Sequence, residues 1–446
     1  MSRIAPLSGF PEWLPEQRLI ELKVIDRLRH TFELYGFSPL ETRAVEPLDQ
    51  LLRKGETSKE VYLLRRLQAA ADPKADEASD DALGLHFDLT VPFARYVLEN
   101  AGKLQFPFRR YQIQKAWRGE RPQEGRYREF LQADIDVVDR DTLAFHHEVE
   151  MPLIVGDALS SLPIPRVQIQ VNNRKLCQGF YRGLGIEDTD AALMAVDRLD
   201  RVGPSGVTDL LVSTAGATQA QAKACLALAE IATEDASFVD AVRSLGVKDP
   251  LLDEGLEELA RVMEAGQAHR PGLLLADLKI ARGLDYYTGT VYETRMRGFE
   301  SAGSVCSGGR YDNLASSGTD RYPGVGISVG VSRLLGVLFG AGALSASRSV
   351  PTCVLVAVAS EDDRAGSDRV AADLRRRGIP TEVSPTAAKY GKQIRYAERR
   401  GIPYVWFPSP DGPGEVKDIR SGDQTPADPG SWTPPADDLT VQITGT

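Results

Sequence analysis

The chain has 446 residues, of which 42% are hydrophobic and 26% charged, and its formal net charge at pH 7 is −10. This composition is typical of a soluble globular protein of about three domains, and the acidic balance excludes nucleic-acid binding by overall charge, so an RNA contact must use a local basic patch. No apolar run approaches the ~20 residues that span a bilayer, the N-terminus lacks an export signal, and the four dispersed cysteines indicate reduced thiols, no structural zinc and a cytoplasmic location.

The N-terminal part predicts an amphipathic helix over Glu16–Leu34, where aliphatic residues recur at helical spacing. A short strand is expected over Phe37–Val45, a helix over Leu51–Gly55, and a strand or a helix over Glu60–Leu67. Ala69–Asp81 is rich in alanine and aspartate, which predicts a mobile loop.

Leu83–Leu98 predicts a strand that leads into a helix, because Pro92 suits the first turn of a helix. Asp88 and Thr90 then lie at the junction with their side chains on the same side. Such a pair can hold an ammonium group. For an isolated Asp-Leu-Thr, however, a simple helix cap explains the sequence better.

Phe108–Asp136 alternates with a period of two and predicts a long antiparallel hairpin that turns over Glu120–Gly125. One face is mostly apolar. The other face carries arginine, amide, carboxylate and aromatic side chains, namely Arg110, Gln112, Gln114, Arg118, Glu120, Arg126, Arg128, Phe130, Gln132, Asp134 and Asp136. Arginine grips phosphate, a phenylalanine stacks on a base and carboxylates hold donors. This face therefore fits a ligand with phosphates, a base and an amine, unless it is the solvated face of an ordinary sheet.

The same hairpin is the local basic patch, since Pro107–Phe130 holds seven basic residues against three acidic ones. Behind it, Leu143–Leu159 predicts a helix. Arg166–Val171 predicts a strand, with a turn at the two asparagines that follow. From Arg174 to about His269, alanine, leucine and charged residues at helical spacing predict a largely helical insertion.

The sheet is expected to resume at Leu278–Glu293, where two glycines bracket Tyr286 and Tyr287. Gly303–Asp312 follows, with a close backbone approach at Gly308-Gly309 beside Tyr311.

Pro323–Phe339 predicts a glycine-rich strand that runs into a helix, with Arg333 at the start of that helix. Its glycines at 324, 326 and 330 would let a flat ligand lie against the strand, although glycine packing explains the same pattern.

Residues 341–350 predict a small-residue linker. Beyond it, strands and helices alternate as β-α-β-α-β, which predicts a separate small α/β domain. Its second helix, over Ala388–Arg400, has a basic side that either faces RNA or is simply solvated: Lys389, Lys392, Arg395, Arg399 and Arg400. The tail after Gly422 is rich in Pro, Gly and Asp and is expected to be loosely ordered.

Together these stretches resemble the histidyl-tRNA synthetase family of class II aminoacyl-tRNA synthetases over nearly the whole chain. The matching stretches are Leu85–Thr90 (a histidine-contacting segment), Arg118-Gly119-Glu120 with Arg126–Phe130 (motif 2), Arg282–Tyr287 (the RGLDYY signature), Gly324–Leu334 (motif 3) and Gly391–Pro403 (the anticodon-binding domain). These motifs, in this order, are specific to the family.

The resemblance implies an α+β class II synthetase catalytic core, a mostly antiparallel sheet flanked by helices, in residues 1–172 and 270–340. It implies a mostly helical insertion at 173–269, a linker at 341–350 and a C-terminal α/β anticodon-binding domain at 351–446. A homodimer is also implied.

The implied reaction is the attack of the histidine carboxylate on the α-phosphate of ATP, followed by transfer of the histidyl group to tRNA(His). The implied catalytic residues are Arg118, Arg282 and Arg333, with Arg282 supplying charge at the α-phosphate where other class II enzymes use a metal. ATP-binding residues are Arg118, Glu120, Arg126, Phe130 and Arg333. Histidine-binding residues are Asp88, Leu89, Thr90, Arg118, Gln132, Asp136, Arg282, Tyr286, Tyr287 and Tyr311.

Within these sets, the resemblance gives the α-ammonium to Asp88, Thr90 and Gln132, and the two imidazole nitrogens to Asp136 and Tyr287. Arg121 and Gln123 are expected at the tRNA acceptor end. Mg²⁺ is expected to accompany ATP, held mostly by phosphate oxygens and water, with no metal bound tightly by the protein.

Three positions depart from the family pattern: Arg43 replaces a proline, His86 an arginine and Ser332 a glutamate. Two other functions compete. A non-catalytic regulatory subunit of ATP phosphoribosyltransferase usually lacks the RGLDYY arginine or the motif 2 residues, and it lacks the C-terminal domain. This sequence has those residues and a segment that resembles that domain. A module that senses uncharged tRNA needs a partner domain that this sequence does not suggest.

Overall fold

The computed structural model describes residues 5–52, 60–65, 82–123, 125–281, 283, 286–409, 412 and 414–445. The predicted loop at Ala69–Asp81 lies outside these residues, and so does Arg282. The chain divides into two compact units, the first Met1–Pro11 with Ile25–Val337 and the second Glu12–Val24 with Leu338–Thr446. No helix in the described part is long and apolar enough to cross a membrane.

The described helices are α1 (Pro15–Leu34), α2 (Leu48–Leu51), α3 (Thr90–Asn100), α4 (His146–Ser160), α5 (Arg174–Gly183), α6 (Thr189–Val196), α7 (Leu199–Thr214), α8 (Gln219–Ala229), α9 (Phe238–Ser244), α10 (Pro250–His269), α11 (Val331–Gly340), α12 (Arg364–Arg376) and α13 (Tyr390–Arg400).

The described strands are β1 (Ser38–Pro39), β2 (Val45–Pro47), β3 (Leu63–Leu64), β4 (Leu83–Leu85), β5 (Phe108–Trp117), β6 (Glu129–Val138), β7 (Val167–Asn173), β8 (Ala232–Thr233), β9 (Leu274–Asp277), β10 (Thr290–Met296), β11 (Cys306–Tyr311), β12 (Ser316–Ser317), β13 (Asp320–Arg321), β14 (Gly324–Gly330), β15 (Leu344–Ala346), β16 (Val354–Val356), β17 (Thr381–Val383), β18 (Tyr404–Phe407), β19 (Gly414–Asp418), β20 (Gln424–Ala427) and β21 (Ile443–Gly445).

The first unit is built on one large sheet, whose described strands follow the order β1-β5-β6-β14-β11-β10-β7-β9-β8. Neighbouring strands are antiparallel except at β1–β5 and β7–β9, which are parallel. Helices α4 and α10 pack on this sheet and on each other. The predicted core, a mostly antiparallel sheet flanked by helices, is therefore confirmed.

The predicted hairpin is present as β5 and β6, whose register pairs Arg110 with Asp136, Gln112 with Asp134 and Gln114 with Gln132. Its polar side chains thus share one face, as the alternation predicted. Five of these six paired side chains are buried, Gln114 being the exception, because β14 adjoins β6 and α3 lies near. The solvated-face alternative is wrong for this stretch.

The short N-terminal strands differ from the expectation of a single strand over Phe37–Val45. Strand β1 joins the large sheet beside β5, whereas β2 joins a separate small sheet with β4 and β3. The chain between them changes sheets, so it cannot remain one strand. Helix α1 agrees with its prediction. Helix α2 ends at Leu51, where the predicted helix was to begin.

The asparagines after Val171 lie inside β7 and do not form the predicted turn. Asn172 is buried and donates from Nδ2 to the carbonyls of Leu278 and Ile280, at 3.2 and 2.7 Å. The sheet was also expected to resume at Leu278–Glu293, but β9 ends at Asp277 and the next described strand, β10, begins only at Thr290. Because β9 and β10 lie on opposite sides of β7, the described residues between them are not part of the sheet.

Residues 174–269 form helices α5 to α10 with the short strand β8, which agrees with a mostly helical insertion. Helix α5 begins where the Asn173 side chain accepts from the Lys175 amide, and it packs on α10. The proposed domain boundaries remain predictions.

The second unit contains the predicted β-α-β-α-β pattern as a sheet of order β17-β16-β18-β19-β20. The expected linker contains β15, which pairs with β21 near the C-terminus. The tail is ordered, contrary to expectation. Trp432 packs edge-on against Tyr404 and Trp406, with ring centroids 5.2 and 5.6 Å apart, and these contacts outweigh the polar composition of the tail.

Candidate active site

Two adjoining clefts open on the polar face of the large sheet. The larger cleft, of about 590 Å³ including space open to solvent, is lined by β6, β14, the hairpin turn, the residues from Ser304 to Ser307 at the start of β11, and Arg333 of α11. The smaller cleft, of about 460 Å³ including space open to solvent, is lined by β6, β14, β11, the start of α3 and the tyrosines before β10. Four side chains line both clefts and form the boundary between them: Arg118, Gln132, Ser307 and Ser328.

The larger cleft combines an aromatic ring with several arginines. The Arg118 guanidinium lies 5.1 Å from the centroid of the Phe130 ring, and its Nε donates to the Phe87 carbonyl at 3.0 Å. Glu120 and Arg126 both line the cleft, with 3.7 Å between their charged atoms. Such a surface suits a flat base linked to phosphates.

Arg333 lines the same cleft from the first turn of α11, where motif 3 predicted it. Its Nη2 donates to the Ala302 carbonyl, which holds the guanidinium against the loop before β11. Arg118 and Arg333, far apart in sequence, are thus brought to one cleft.

Asp136 is a buried carboxylate of the smaller cleft that is held from two sides. Arg110 lies 2.7 Å from one of its oxygens, and the Tyr311 hydroxyl donates to the other at 2.7 Å. Burial and the Asp136 carboxylate raise the pKa of Tyr311, so its hydroxyl stays a donor. These contacts fix the orientation of Asp136 toward the cleft.

Two glycines make room for the side chains of this cleft. A Cβ on Gly326 would lie 2.1 Å from Asp136 Oδ1, and a Cβ on Gly283 would lie 1.9 Å from the Tyr287 ring. Gly283 also has a positive φ of 68°. The glycine pattern therefore serves the protein's own side chains as well as the cleft surface. Tyr286 and Tyr287 stand with ring centroids 4.1 Å apart and line the cleft.

Asp88 caps the first turn of α3, as the simpler interpretation of its motif proposed, and it also lines the smaller cleft, which leaves the ammonium-binding role a prediction. Its Oδ1 accepts from the Val91 amide at 3.0 Å in the first turn of α3, and it lines the smaller cleft together with Thr90. Leu89 is wholly buried, and its carbonyl accepts from Arg110 at 3.4 Å. Leu89 is not among the described residues that line either cleft, and its backbone contacts Arg110 behind the smaller cleft.

Arg121 and Gln123 are exposed in the turn between β5 and β6, beyond the residues that line the two clefts. Arg282 lies outside the described residues, so its position is not part of this geometry. Within the described part of the chain, no group of three or more His, Cys, Asp or Glu side chains is placed to bind a metal ion.

Sequence reasoning gave no role to Asp134, Arg110, Ser307 and Ser328, which the structure places at or behind the smaller cleft. The alternation put Asp134 and Arg110 on the correct face, so a signal existed for these two. The serines carried none, because only the pairing of β11 with β14 brings them together.

The three departures from the family pattern have local partners. His86 is buried, and its Nε2 lies 2.7 Å from the Lys115 carbonyl; burial lowers its pKa. The Ser332 hydroxyl accepts from the Leu131 amide at 2.8 Å. Arg43 is half exposed and pairs with Glu46 at 3.0 Å. Each substituted side chain therefore has a hydrogen bond or an ion pair of its own.

Comparison with known proteins places this geometry in context. Residues 9–334 match the family described as histidyl-tRNA synthetase, and residues 352–407 match the anticodon binding domain. The chain is 58% identical to a histidine–tRNA ligase of Cutibacterium acnes, with 100% of both chains covered. It is also 58% identical to one of Micrococcus luteus, with 99% of both covered.

Among solved structures, a histidyl-tRNA synthetase from Nostoc sp. PCC 7120 superimposes with a TM-score of 0.85 at 32% identity, covering 96% of this chain and 97% of that one. A Bacillus halodurans structure described as an ATP phosphoribosyltransferase regulatory subunit/histidyl-tRNA synthetase shares the fold with a TM-score of 0.72 at 17% identity, covering 88% of this chain and 96% of that one.

Proposed function

Since the chain belongs to the histidyl-tRNA synthetase family, we propose that its two clefts bind the two small substrates of histidine activation side by side. The chain is an aminoacyl-tRNA synthetase that ligates histidine to tRNA, and full-length identity to histidine–tRNA ligases favours this activity over that of a regulatory subunit. The assignment of individual residues is the proposal.

ATP occupies the larger cleft. Phe130 stacks on the adenine, Glu120 accepts from the adenine amine, and Arg118, Arg126 and Arg333 bind the phosphates. The contact between the Arg118 guanidinium and the Phe130 ring supports this assignment, because it puts a cation beside the surface on which the base would lie. Mg²⁺ enters with ATP as part of the substrate, held mostly by phosphate oxygens and water.

Histidine occupies the smaller cleft. Asp88, Thr90 and Gln132 bind its α-ammonium, while Asp136 and Tyr287 bind the two imidazole nitrogens, and Tyr286 and Tyr311 shape the pocket. The acidic lining of this cleft supports a cationic ligand. A site that pairs both ring nitrogens rejects analogues that lack them by roughly 10⁴–10⁵-fold, because its own polar groups would be left unpaired.

The observation that carries the proposal is that Arg118 lines both clefts. The carboxylate of histidine and the α-phosphate of ATP then meet at one guanidinium, which neutralises both anions and aligns the attack. Chemistry of this kind depends on positioning and charge stabilisation more than on proton transfer. We assign a second cation at the α-phosphate to Arg282.

The transfer step requires tRNA(His). Arg121 and Gln123 are exposed in the hairpin turn, where an acceptor end entering the larger cleft would pass. The exposed basic side of α13, formed by Lys389, Lys392, Arg395 and Arg399, supports an RNA-facing role in the second unit. We also propose that the protein is a homodimer in the cytoplasm.

ATP–pyrophosphate exchange tests the proposal. The purified chain should exchange labelled pyrophosphate into ATP only when histidine is added, and should then charge tRNA(His). A chain that binds tRNA but never exchanges pyrophosphate would be a sensor or a regulatory subunit, and the assignment of the two clefts would fall.

A further inference from the structure

Asp134 is a buried carboxylate of the smaller cleft to which the proposed reaction gives no role. It lies on β6 between Gln132 and Asp136 and is 2% exposed. One oxygen, Oδ1, has no hydrogen-bond partner among the described residues. The register of the sheet places Ser328 of β14 directly beside Asp134.

A chain of hydrogen bonds connects Asp134 through Ser328 to Gln132. Ser328 is the register partner of Asp134 and lowers the pKa of this carboxylate as a hydrogen-bond donor, and Gln132 Nε2 donates to Ser328 Oγ at 2.6 Å. An ionised carboxylate only accepts, and a serine hydroxyl has one proton to donate. While Asp134 is ionised, that proton must therefore point at Asp134, and Ser328 can only accept from Gln132.

This polarity decides which end of the Gln132 amide faces the clefts. The two ends of an amide have nearly the same shape, so packing does not distinguish them and the hydrogen bonds do. With Nε2 bound to Ser328, Oε1 is left as the acceptor, and it is buried without a hydrogen-bond partner in the described part of the chain. An ammonium group supplies the donor that this oxygen needs.

We propose that Asp134, acting through Ser328, is the positioning residue that holds the Gln132 carbonyl oxygen toward the α-ammonium of histidine. The inference rests on the proposed assignment of Gln132 to that ammonium. When Asp134 is protonated, its O–H donates to Ser328, the serine proton turns to Gln132, and the amide presents its NH₂ to the ammonium. Donor then faces donor, so histidine binding requires ionised Asp134.

The electrostatic setting puts this switch near neutral pH. Burial raises the pKa of Asp134 to about 7, Arg110 opposes that rise, and the carboxylates of Asp136 and Asp88 add to it. The charged or titratable side chains that act on Asp134, among the described residues, include Arg110 of β5, Asp136 of β6 and Asp88 before α3, and the Cys306 thiol of β11 is affected by Asp134 in turn. Glu293 of β10 lies two strands beyond Ser328 in the same register, and Arg118 stands at the cleft boundary.

The positioning role of Asp134 is tested by the KM for histidine in ATP–pyrophosphate exchange, measured from about pH 6 to about pH 8. Asp134→Asn should raise this KM about 10- to 100-fold at the alkaline end, the effect of one hydrogen bond to a charged group, and leave the KM for ATP unchanged. In the wild type the KM should rise as the pH falls below about 7. Free histidine titrates equally in the assays of the variant and of the wild type. The ratio of their KM values for histidine therefore reports the enzyme alone, and it should fall toward one at low pH.

Ser328→Ala removes a single hydroxyl and breaks the same chain without changing Asp134, so it carries the test even if the aspartate variant folds poorly. It should raise the KM for histidine and abolish the enzyme's pH dependence. The double variant Asp134→Asn, Ser328→Ala should raise the KM for histidine by no more than the larger of the two single effects. If the two increases in the KM multiplied in the double variant, Asp134 would contact the substrate independently of Ser328, and the proposed positioning role would be overturned.

Asp277→Asn is the matched control. Asp277 is 3% exposed in β9 of the same sheet, burial raises its pKa, and it accepts from Gln170 at 2.6 Å outside the residues that line both clefts. It should leave the KM for histidine and its pH profile unchanged; a change equal to that of Asp134→Asn would overturn the inference. Failure of the proposed function is distinct, because the wild type would then show no histidine-dependent exchange at any pH.

Discussion

Arg110 and Asp136 occupy paired positions of β5 and β6, and their charged groups lie 2.7 Å apart with both side chains almost wholly buried. The hydroxyl of Tyr311, which lies on β11, donates a hydrogen bond to the other carboxylate oxygen of Asp136. The charge of Asp136 is thus balanced from within the sheet, while the residue still lines the smaller cleft. This arrangement joins the stability of the sheet to the shape of the substrate pocket.

Replacing Arg110 by methionine should lower the free energy of unfolding by about 3 kcal/mol, because it leaves Asp136 as a buried charge without its cation. Denaturant unfolding measures the loss. The double variant Arg110→Met, Asp136→Asn should be more stable than the single Arg110 variant, since the stranded charge is removed. A double variant that is less stable by the sum of the single losses would contradict this explanation.

Arg118 and Arg333 form a matched pair, since Arg118 lines both clefts and Arg333 only the larger one. Arg118→Lys should lower kcat/KM for both histidine and ATP by about 100-fold, because a lysine cannot grip two anions with a planar fork. Arg333→Lys should raise the KM for ATP and leave the KM for histidine near its normal value. Equal losses for both substrates in the Arg333 variant would refute the division of the clefts.

Arg282 is proposed to supply charge at the α-phosphate. Arg282→Ala should leave the thermal unfolding curve unchanged and abolish histidine-dependent pyrophosphate exchange, because the charge that forms in the transition state would lose its counter-ion. Exchange at the wild-type rate would rule out this role. The unchanged unfolding curve serves as the control for an intact fold, because Arg282 itself belongs to the histidine-binding set that the family resemblance implies.

Asp157 links three elements of the first unit. Burial alone would raise its pKa, but hydrogen bonds from Tyr35 and His269 and the charge of Arg270 lower it overall. A carboxylate whose pKa is depressed by folding stabilises the protein above its unfolded pKa of about 3.9, and that contribution disappears as the pH falls through the folded value.

Asp157→Asn should therefore lower the free energy of unfolding by about 1 kcal/mol at neutral pH. The difference from the wild type should shrink when urea unfolding is repeated at about pH 3. A difference that stays constant with pH would show that the ionised form of Asp157 has no part in it.

Arg121 is exposed in the hairpin turn and is proposed to contact the acceptor end of tRNA. Arg121→Ala should raise the KM for tRNA several-fold and weaken its salt dependence, because one phosphate contact is lost. Pyrophosphate exchange without tRNA should be unaffected. An unchanged KM across a panel of acceptor-stem variants would rule out the contact.

The sequence by itself determined the hairpin and the face on which its polar residues lie. Successive side chains of a strand point to opposite faces, so the alternation of polar and apolar residues shows directly which of them share a face. It also indicated the family, through motifs whose residues stand close together in the chain. Local chemistry of this kind needs no knowledge of distant contacts.

Only the tertiary structure decided which residues face one another across strands. The burial of Arg110 against Asp136, the place of Ser328 beside Asp134 and the entry of the two asparagines into β7 all depend on strand order and register, and these are fixed by contacts between residues distant in sequence. The tail after Gly422 became ordered for the same reason, since the packing of Trp432 on two aromatic rings cannot be read from the composition around it.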